Sequence, residues 1–508
     1  MFLEFRYALR SLKNNPSFAA IAVLTLALGI GANTAMFSVV NGVLLRPLAY
    51  PNAARIVQLN TALAHEDGPF PRVTGPDFAD IRSAASAFDQ VSFYFGGDLG
   101  VQMADHAEFV GTYLVTPNFF SVFGVQPVFG RGFDASGPDR ANAQPGAIVS
   151  LSFAQRNFGA GAAALGRTLR MEGVTYEIVG VVPARFRFPD SEAQVWLASP
   201  PQPDSMERTA YNYHAVALLK TGTSLAAANT QLKTIGSRLE LAYPDSNKDK
   251  AFLAVPLQEQ LVGPVRATLY FLMGAVSLVL LIACANVANL LLARATARQR
   301  EMAVRSALGA TRTAIARQLM IESGLMALAG GGVGLLLAFV GTRILSQAAA
   351  QQVGLPRLAD IQINWTVFAF AIGASLGASF LFGLSPAWQA SRVNLSDSLK
   401  QAGRGFAGSS NRLRNTLVVA QVALSFALAI CAGLLFRSFL ALNSVNLGYR
   451  TDGMLVMYAH DPAQTRDDHL RIPSSAVLPH RPHCRRWRWS SGAVWSWVVS
   501  WMGAGGLG

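Results

Sequence analysis

Hydrophobic and polar positions are distributed very unevenly along this chain. Residues 267–293 carry no charge at all, and about 20 apolar residues at the helical rise suffice to cross a bilayer core, so this stretch predicts a membrane span. Runs at 18–45, 323–345, 365–386 and 416–436 are uncharged or nearly so and predict four more. A cleavable signal peptide has a shorter apolar region of about 7–15 residues, which makes 18–45 an anchor. Ahead of it, residues 1–17 place Phe2, Phe5, Leu9 and Leu12 at helical spacing, with Arg6, Arg10 and Lys13 elsewhere. That is the pattern of a basic amphipathic helix lying on the inner leaflet. Pro16 then suits the first turn of the spanning helix.

Residues 46–266 contain no long apolar run and are too many for a loop, so they predict a domain of their own. The alternating run at 176–182 predicts a strand, and 224–244 predicts an amphipathic helix. Charge in the short loops gives the orientation. After the second span come Arg294, Arg298, Arg300, Arg305, Arg312 and Arg317, set against Glu301. The loop at 387–415 holds Arg392, Lys400, Arg404, Arg412 and Arg414 against Asp397. Short loops rich in Lys and Arg stay on the cytoplasmic side, which places 294–322 and 387–415 inside and 46–266, 346–364 and 437–470 outside. The expected fold is an α-helical transmembrane bundle, a four-span core plus a fifth span, with a large α+β extracytoplasmic domain.

Composition sharpens this picture. The chain is 51% hydrophobic and only 14% charged, against about 25% charged in soluble domains. The net charge of +13 falls largely in loops beside apolar runs, so it reports orientation and predicts no nucleic-acid partner. Cys284 and Cys431 sit inside apolar runs and Cys484 near the end, with no disulfide framework. No glycine-rich loop ends in GK[ST], and no Ser/His/acid, Cys/His or zinc spacing occurs. The chain therefore predicts no catalytic residue, no metal site, no cofactor of its own and no enzymatic activity.

Within the first basic loop, Glu301 and Arg305 are spaced for an intrahelical ion pair. Gly309, followed by Ala310, suits a helix end, and Thr311 can cap the next helix. The stretch EMAVRSALGA, preceded by ANVANLLLARATAR, resembles the intracellular loop of MacB/FtsX-type ABC transporter permeases. The resemblance implies that Glu301, Arg305, Gly309 and Ala310 dock on an ABC ATPase subunit supplied in trans, which binds the ATP. The alternative from charge alone is a loop held against anionic membrane lipid. TPNFFSVFGVQPVFGRGF and LGRTLRMEGVTYEIVGVVPARFRFP resemble the family's periplasmic core domain, although their glycines and prolines are equally turn residues. PAWQASRVNLSDSLK resembles the stretch closing the four-span core, with Leu395 where many members carry proline.

In the spans, Gly373 and Gly377 form a small-xxx-small pair, and Asn286 and Asn289 are candidates for hydrogen bonds across helices. No Asp, Glu, Lys or His is expected near a span centre, so a proton or ion relay has no candidate. The resemblance implies a bacterial inner-membrane permease that couples ATP hydrolysis by its partner to the outer domain. Its work would be export of a macrolide, peptide or lipoprotein-type substrate, or mechanotransmission. The alternatives are a non-transporting regulator of the cell-division type and an inactive truncated fragment. The fifth span looks like the start of a second copy of the unit, as in duplicated permeases, and a second permease copy is a possible partner. Residues 469–508 contain no acid and crowd in Trp487, Trp489, Trp495, Trp497 and Trp501, so residues 471–508 are expected to be an out-of-frame tail without packed structure.

Overall fold

The computed structural model describes residues 6, 10, 12–64, 66, 68–134, 145–171, 173–190, 192–199, 207–297, 311–352, 364–390, 410–444, 454–458 and 496–500. In chain order the first elements are α1 (Pro16–Val40), β1 (Ile56–Leu63), α2 (Gly75–Ala84), β2 (Phe88–Gln102), β3 (Ala107–Val115), α3 (Phe119–Phe123), β4 (Phe129–Gly130), β5 (Gly146–Ser150) and α4 (Leu151–Phe158). There follow β6 (Thr168–Met171), β7 (Val174–Val182), β8 (Ala193–Ala198), β9 (His214–Leu219), α5 (Leu225–Ala242), α6 (Pro244–Asn247) and β10 (Lys250–Pro256). The last are α7 (Leu257–Ala297), α8 (Arg312–Gln352), α9 (Trp365–Ala390), α10 (Ser410–Asn443), β11 (Met454–Tyr458) and β12 (Ser496–Ser500). The chain divides into a helical unit, Met1–Arg46 with Val262–Val445, and a sheet unit, Pro47–Leu261 with Asn446–Gly508.

In the helical unit, Pro16–Leu45, Leu257–Arg294, Ala316–Ile344 and Asn415–Ala441 are long and apolar enough to cross a membrane, and α9 contributes a shorter apolar stretch, Trp365–Leu381. Pro16 stands in the first turn of α1, and α1 ends in a five-residue π-helical turn, Asn41–Leu45. Helix and span boundaries differ. α7 begins at Leu257, so Pro264 and Arg266 lie inside it, and α8 begins at Arg312, so Arg317 and Glu322 are helical rather than loop residues. Helix ends follow local capping, and Thr311 supplies the cap, its Oγ1 accepting from the Ala314 amide at 3.3 Å.

In the sheet unit the strand order is β10-β1-β9-β2-β3-β8-β5-β7-β4, with β6 pairing β2 and β7. β3/β8 and β5/β7 are parallel and the other pairs antiparallel. Alternation puts Val57, Leu59, Val91, Phe93, Ala215 and Ala217 on one face, packed with Phe78 and Ile81 of α2 and Leu232 and Leu239 of α5. Ile56, Tyr94, Val216 and Leu218 face the other way, onto Phe119, Phe120, Phe123, Phe186, Phe188 and Trp196. The predicted strand at 176–182 lies in β7. The helix predicted at 224–244 is α5, opened by Ser224, whose Oγ accepts from the Ala227 amide at 3.2 Å. FFSVF, quoted above for its turn residues, is a short helix whose phenylalanines fill the core; Gly124 ends it at φ 65°.

At one end of the sheet β10 presents a free edge, and a side chain closes it. Asn229 of α5 donates Nδ2 to the Ala254 carbonyl at 3.2 Å and accepts the Ala254 amide on Oδ1 at 2.7 Å, which is the pairing a neighbouring strand would make. The tail departs from the expectation of an unstructured segment. β12 pairs antiparallel with β11, from Met454↔Ser500 to Tyr458↔Ser496, because Ser496–Ser500 is a run of aromatic and β-branched residues that favours strand.

Candidate functional site

The candidate site is the packed helical bundle. Where lipid replaces water, helices gain nothing by hiding apolar side chains from each other, so close backbone approach must hold them. α1 and α8 achieve it through glycines. A Cβ on Gly31 would stand 2.9 Å from the Gly334 carbonyl oxygen, and one on Gly334 would stand 2.9 Å from the Ala27 oxygen and the Gly31 nitrogen. Gly330 lies equally close to Leu26, where a Cβ would meet the leucine Cβ at 2.8 Å. The two helices therefore run parallel, backbone against backbone. α8 meets α9 at Gly331, where a Cβ would collide with the Ser375 hydroxyl, and at Gly383, which packs on Met320 and Ser323. Phe37 of α1 stacks on Phe370 of α9 with centroids 4.0 Å apart.

Polar groups inside the bundle add direction. Asn33, buried in α1, donates to the Val276 carbonyl of α7 at 2.7 Å and to Gly29 at 2.9 Å, and accepts from the Ser277 hydroxyl at 3.2 Å. Glu322 of α8 is 3% exposed and Ser323 beside it 1%, so an ionisable side chain does lie within the helix that forms the third span. It stands near the start of the Ala316–Ile344 stretch, away from the span centre. At the cytoplasmic end of α7 the Arg294 guanidinium lies 4.7 Å over the Phe18 ring.

Several residues singled out from the sequence stand elsewhere. Glu301, Arg305, Gly309 and Ala310 lie outside the described residues; the described chain resumes at the Thr311 cap. Asn286 is half-buried, and the buried Oδ1 of Asn289 has no hydrogen-bond partner among the described residues. The cross-helix bond to α7 comes instead from Asn33. A Cβ at Gly373 or Gly377 would meet nothing within 4 Å, so the small-residue approach within this chain falls at Gly31 and Gly334. Those glycines were equally visible in the sequence, but spacing marks a face without saying which helix lies against it.

The sheet unit has a polar centre of its own. Asp77 opens α2 with its side chain fully buried and gathers three donors. Arg208 reaches Oδ1 at 2.8 Å, Asn247 reaches Oδ1 at 2.9 Å, and Lys250 reaches Oδ2 at 2.9 Å. Arg208 also holds Asp80 at 2.7 Å and lies 3.6 Å over the Tyr243 ring, while the Lys250 ammonium donates to the Arg208 carbonyl at 2.9 Å. With each charge paired, the attraction within the cluster offsets part of the desolvation cost of burying it.

Comparison with known proteins places both units. The MacB-like periplasmic core domain matches residues 19–235 and the FtsX-like permease C-terminal domain matches 273–395. The chain is 24% identical over 412 residues to the pyoverdine export ATP-binding/permease protein PvdT of Pseudomonas syringae pv. syringae, covering 78% of this chain and 58% of that protein. It is 26% identical over 313 residues to the macrolide export ATP-binding/permease protein MacB of Shewanella oneidensis, covering 60% of this chain and 46% of that one. The chain thus spans about half the length of these relatives. The crystal structure of the periplasmic region of MacB from Actinobacillus actinomycetemcomitans aligns at 13% identity and TM-score 0.31, over 46% of this chain and 95% of that one. A periplasmic core domain followed by an FtsX-like permease domain, carried on several apolar helices, makes this chain a multi-pass inner-membrane protein of the MacB/FtsX-type ABC transporter permease family.

Proposed function

We propose that the chain is the membrane subunit of an ABC exporter, driven by an ATPase that docks on the cytoplasmic loop at 294–322. The observation that carries the reading is the order of parts along one chain. A core domain of the periplasmic type separates the first span from the second, and the FtsX-like region, with the loop between α7 and α8, follows it. Glu301, Arg305, Gly309 and Ala310 form the docking element, and Thr311 starts α8 directly behind it, so that force on the loop is delivered into a helix packed along α1 and α9. ATP is bound by the partner. The named relatives export pyoverdine and macrolides; for this chain a small or peptide-like export substrate is the corresponding proposal.

Arg305→Glu tests the docking element, because it reverses charge on the loop and places like charges four residues apart. The variant is expected to insert normally and to lose co-purification with a co-expressed ABC ATPase, together with stimulation of that ATPase's turnover. Equal recovery of the ATPase with wild type and variant would refute docking through this loop.

A further inference from the structure

β1 and β9 pair from Ile56↔Leu218 to Leu59↔Ala215 and then splay apart. The gap is filled by a strap, residues 70–73. Phe70 bridges Thr61 through amide–carbonyl bonds of 2.9 and 3.0 Å, and Val73 bridges Tyr213 through bonds of 2.7 and 3.2 Å. Thr61 donates its hydroxyl to the Arg72 carbonyl at 2.7 Å. His214 stands at the point of the splay. Its ring stacks on Tyr94 of β2, the residue paired with it in register, with centroids 5.1 Å apart and planes 14° from parallel. Its Nδ1 is buried and has no hydrogen-bond partner among the described residues.

We propose that His214 is an acid-sensitive latch, and that protonating it releases the 70–73 strap from the ends of β1 and β9. The reason is a count of donors. A neutral imidazole carries one N–H, whereas the charged ring carries two, so at low pH Nδ1 becomes a buried donor with no acceptor, which is costly. The groups around it do not offset that cost. From β2 the ring meets Tyr94. From the strap it meets the Pro71 carbonyl, which favours the charged form, and the exposed Arg72 guanidinium, which opposes it. β1 presents Gln58 and Asn60 at this level, neither of which ionises. Asp190 acts on Tyr94 and accepts the Tyr113 hydroxyl. Burial first, and Arg72 second, hold the His214 pKa below its ordinary value.

The sign follows from linkage. The open strap lets His214 titrate near the usual imidazole pKa, while the closed strap lowers it, so protons bind the open form more tightly. Closure is complete above the usual pKa and is lost as pH falls toward the depressed one. The strap yields before the sheet because two bridges hold it, whereas β1 is paired along its length with β10. The device needs nothing from the transport reading.

Hydrogen–deuterium exchange on the full-length protein in detergent micelles tests it, with rates corrected for intrinsic pH dependence between about pH 8 and about pH 5, the window in which imidazole titrates. The amides of Phe70, Val73 and Tyr213 are expected to open about tenfold more for each pH unit between the usual and depressed pKa values, with β1 residues 57–59 unchanged. In His214→Phe, which keeps the aromatic stack and cannot take a proton, the strap should be pH-independent. In Arg72→Gln, which brings the closed-state pKa nearer the usual one, opening should begin at the same pH and rise to a smaller maximum. Strap exchange that is equal at both ends of the range in wild type, or that rises as steeply in His214→Phe, overturns the latch. If His214→Phe does not fold, Arg72→Gln decides: strap opening that rises as far as in wild type at the acid end of the range overturns it.

Discussion

The two units of this chain bury polar groups by opposite strategies. The sheet unit places Asp77, Arg208 and Lys250 together and pairs each charge, with Asn247 and Thr74 in support. Beside that network it assembles a core of large aromatic rings, with Phe119 and Phe123 meeting Phe186 and Phe188 edge to face or tilted at 4.7 to 6.3 Å. Water supplies the drive for that core, because each ring removed from it is stabilising by its buried area. The helical unit has no such drive. Its backbone-to-backbone contact is made by residues with no side chain, Gly31 and Gly334, and Asn33 hydrogen-bonds α1 to α7. In water, burial is gained by size; in lipid, proximity is gained by absence.

The sharpest way to break the comparison is at Asp77. Asp77→Ala leaves the Lys250 ammonium, only 1% exposed, without its carboxylate, and is expected to cost about 3–5 kcal/mol. Thermal unfolding of the purified full-length protein, followed by exchange protection of β1 and β10, would check this; a loss under 1 kcal/mol would mean that water reaches the cluster. Next comes Gly334→Leu, which drives a side chain into the Ala27 carbonyl and is expected to cost about 1–3 kcal/mol and to separate α1 from α8. Gly377→Leu is its control and should stay within about 0.5 kcal/mol. Disulfide crosslinking between cysteines placed on α1 and α8 would report both variants, and equal effects would erase the distinction between the two glycine pairs. The smallest effect belongs to Asn33→Leu. Hydrogen bonds between membrane helices average about 0.6 kcal/mol, so a modest drop in detergent stability is expected, with the α1–α8 crosslink retained.

What was legible in the sequence was local. Pro16, Ser224 and Thr311 stand where their chemistry predicted helix starts, because a cap is decided by the few residues beside it. The outer domain and the spans were legible because run length and charge bias are properties of single segments. The contacts that hold each unit together were not. Asp77 meets Lys250 across 173 positions of sequence, and nothing near either residue marks the other. Glu322 was assigned to the loop because charge was used to end the span, whereas the helix continues through it. Ala27 with Gly31 and Gly330 with Gly334 have the same four-residue spacing as Gly373 with Gly377, and tertiary neighbours alone separate these pairs.

The placement of β10 bears on how the protein is made. β1, the first strand out of the ribosome, pairs with β10 from Val57↔Pro256 to Leu63↔Lys250, so its partner on that side is the last strand of the domain to be synthesised. Long-range pairings of this kind close slowly. Through nearly all of the domain's translation, one flank of β1 and the strap that leans on its end wait for a segment not yet made. The wait ends when Pro256 emerges, immediately before α7 presents the second apolar run to the insertion machinery. Completion of the sheet and re-entry into the membrane are therefore consecutive events of biogenesis, and a pause in translation shortly after residue 256 would give the domain its first opportunity to close.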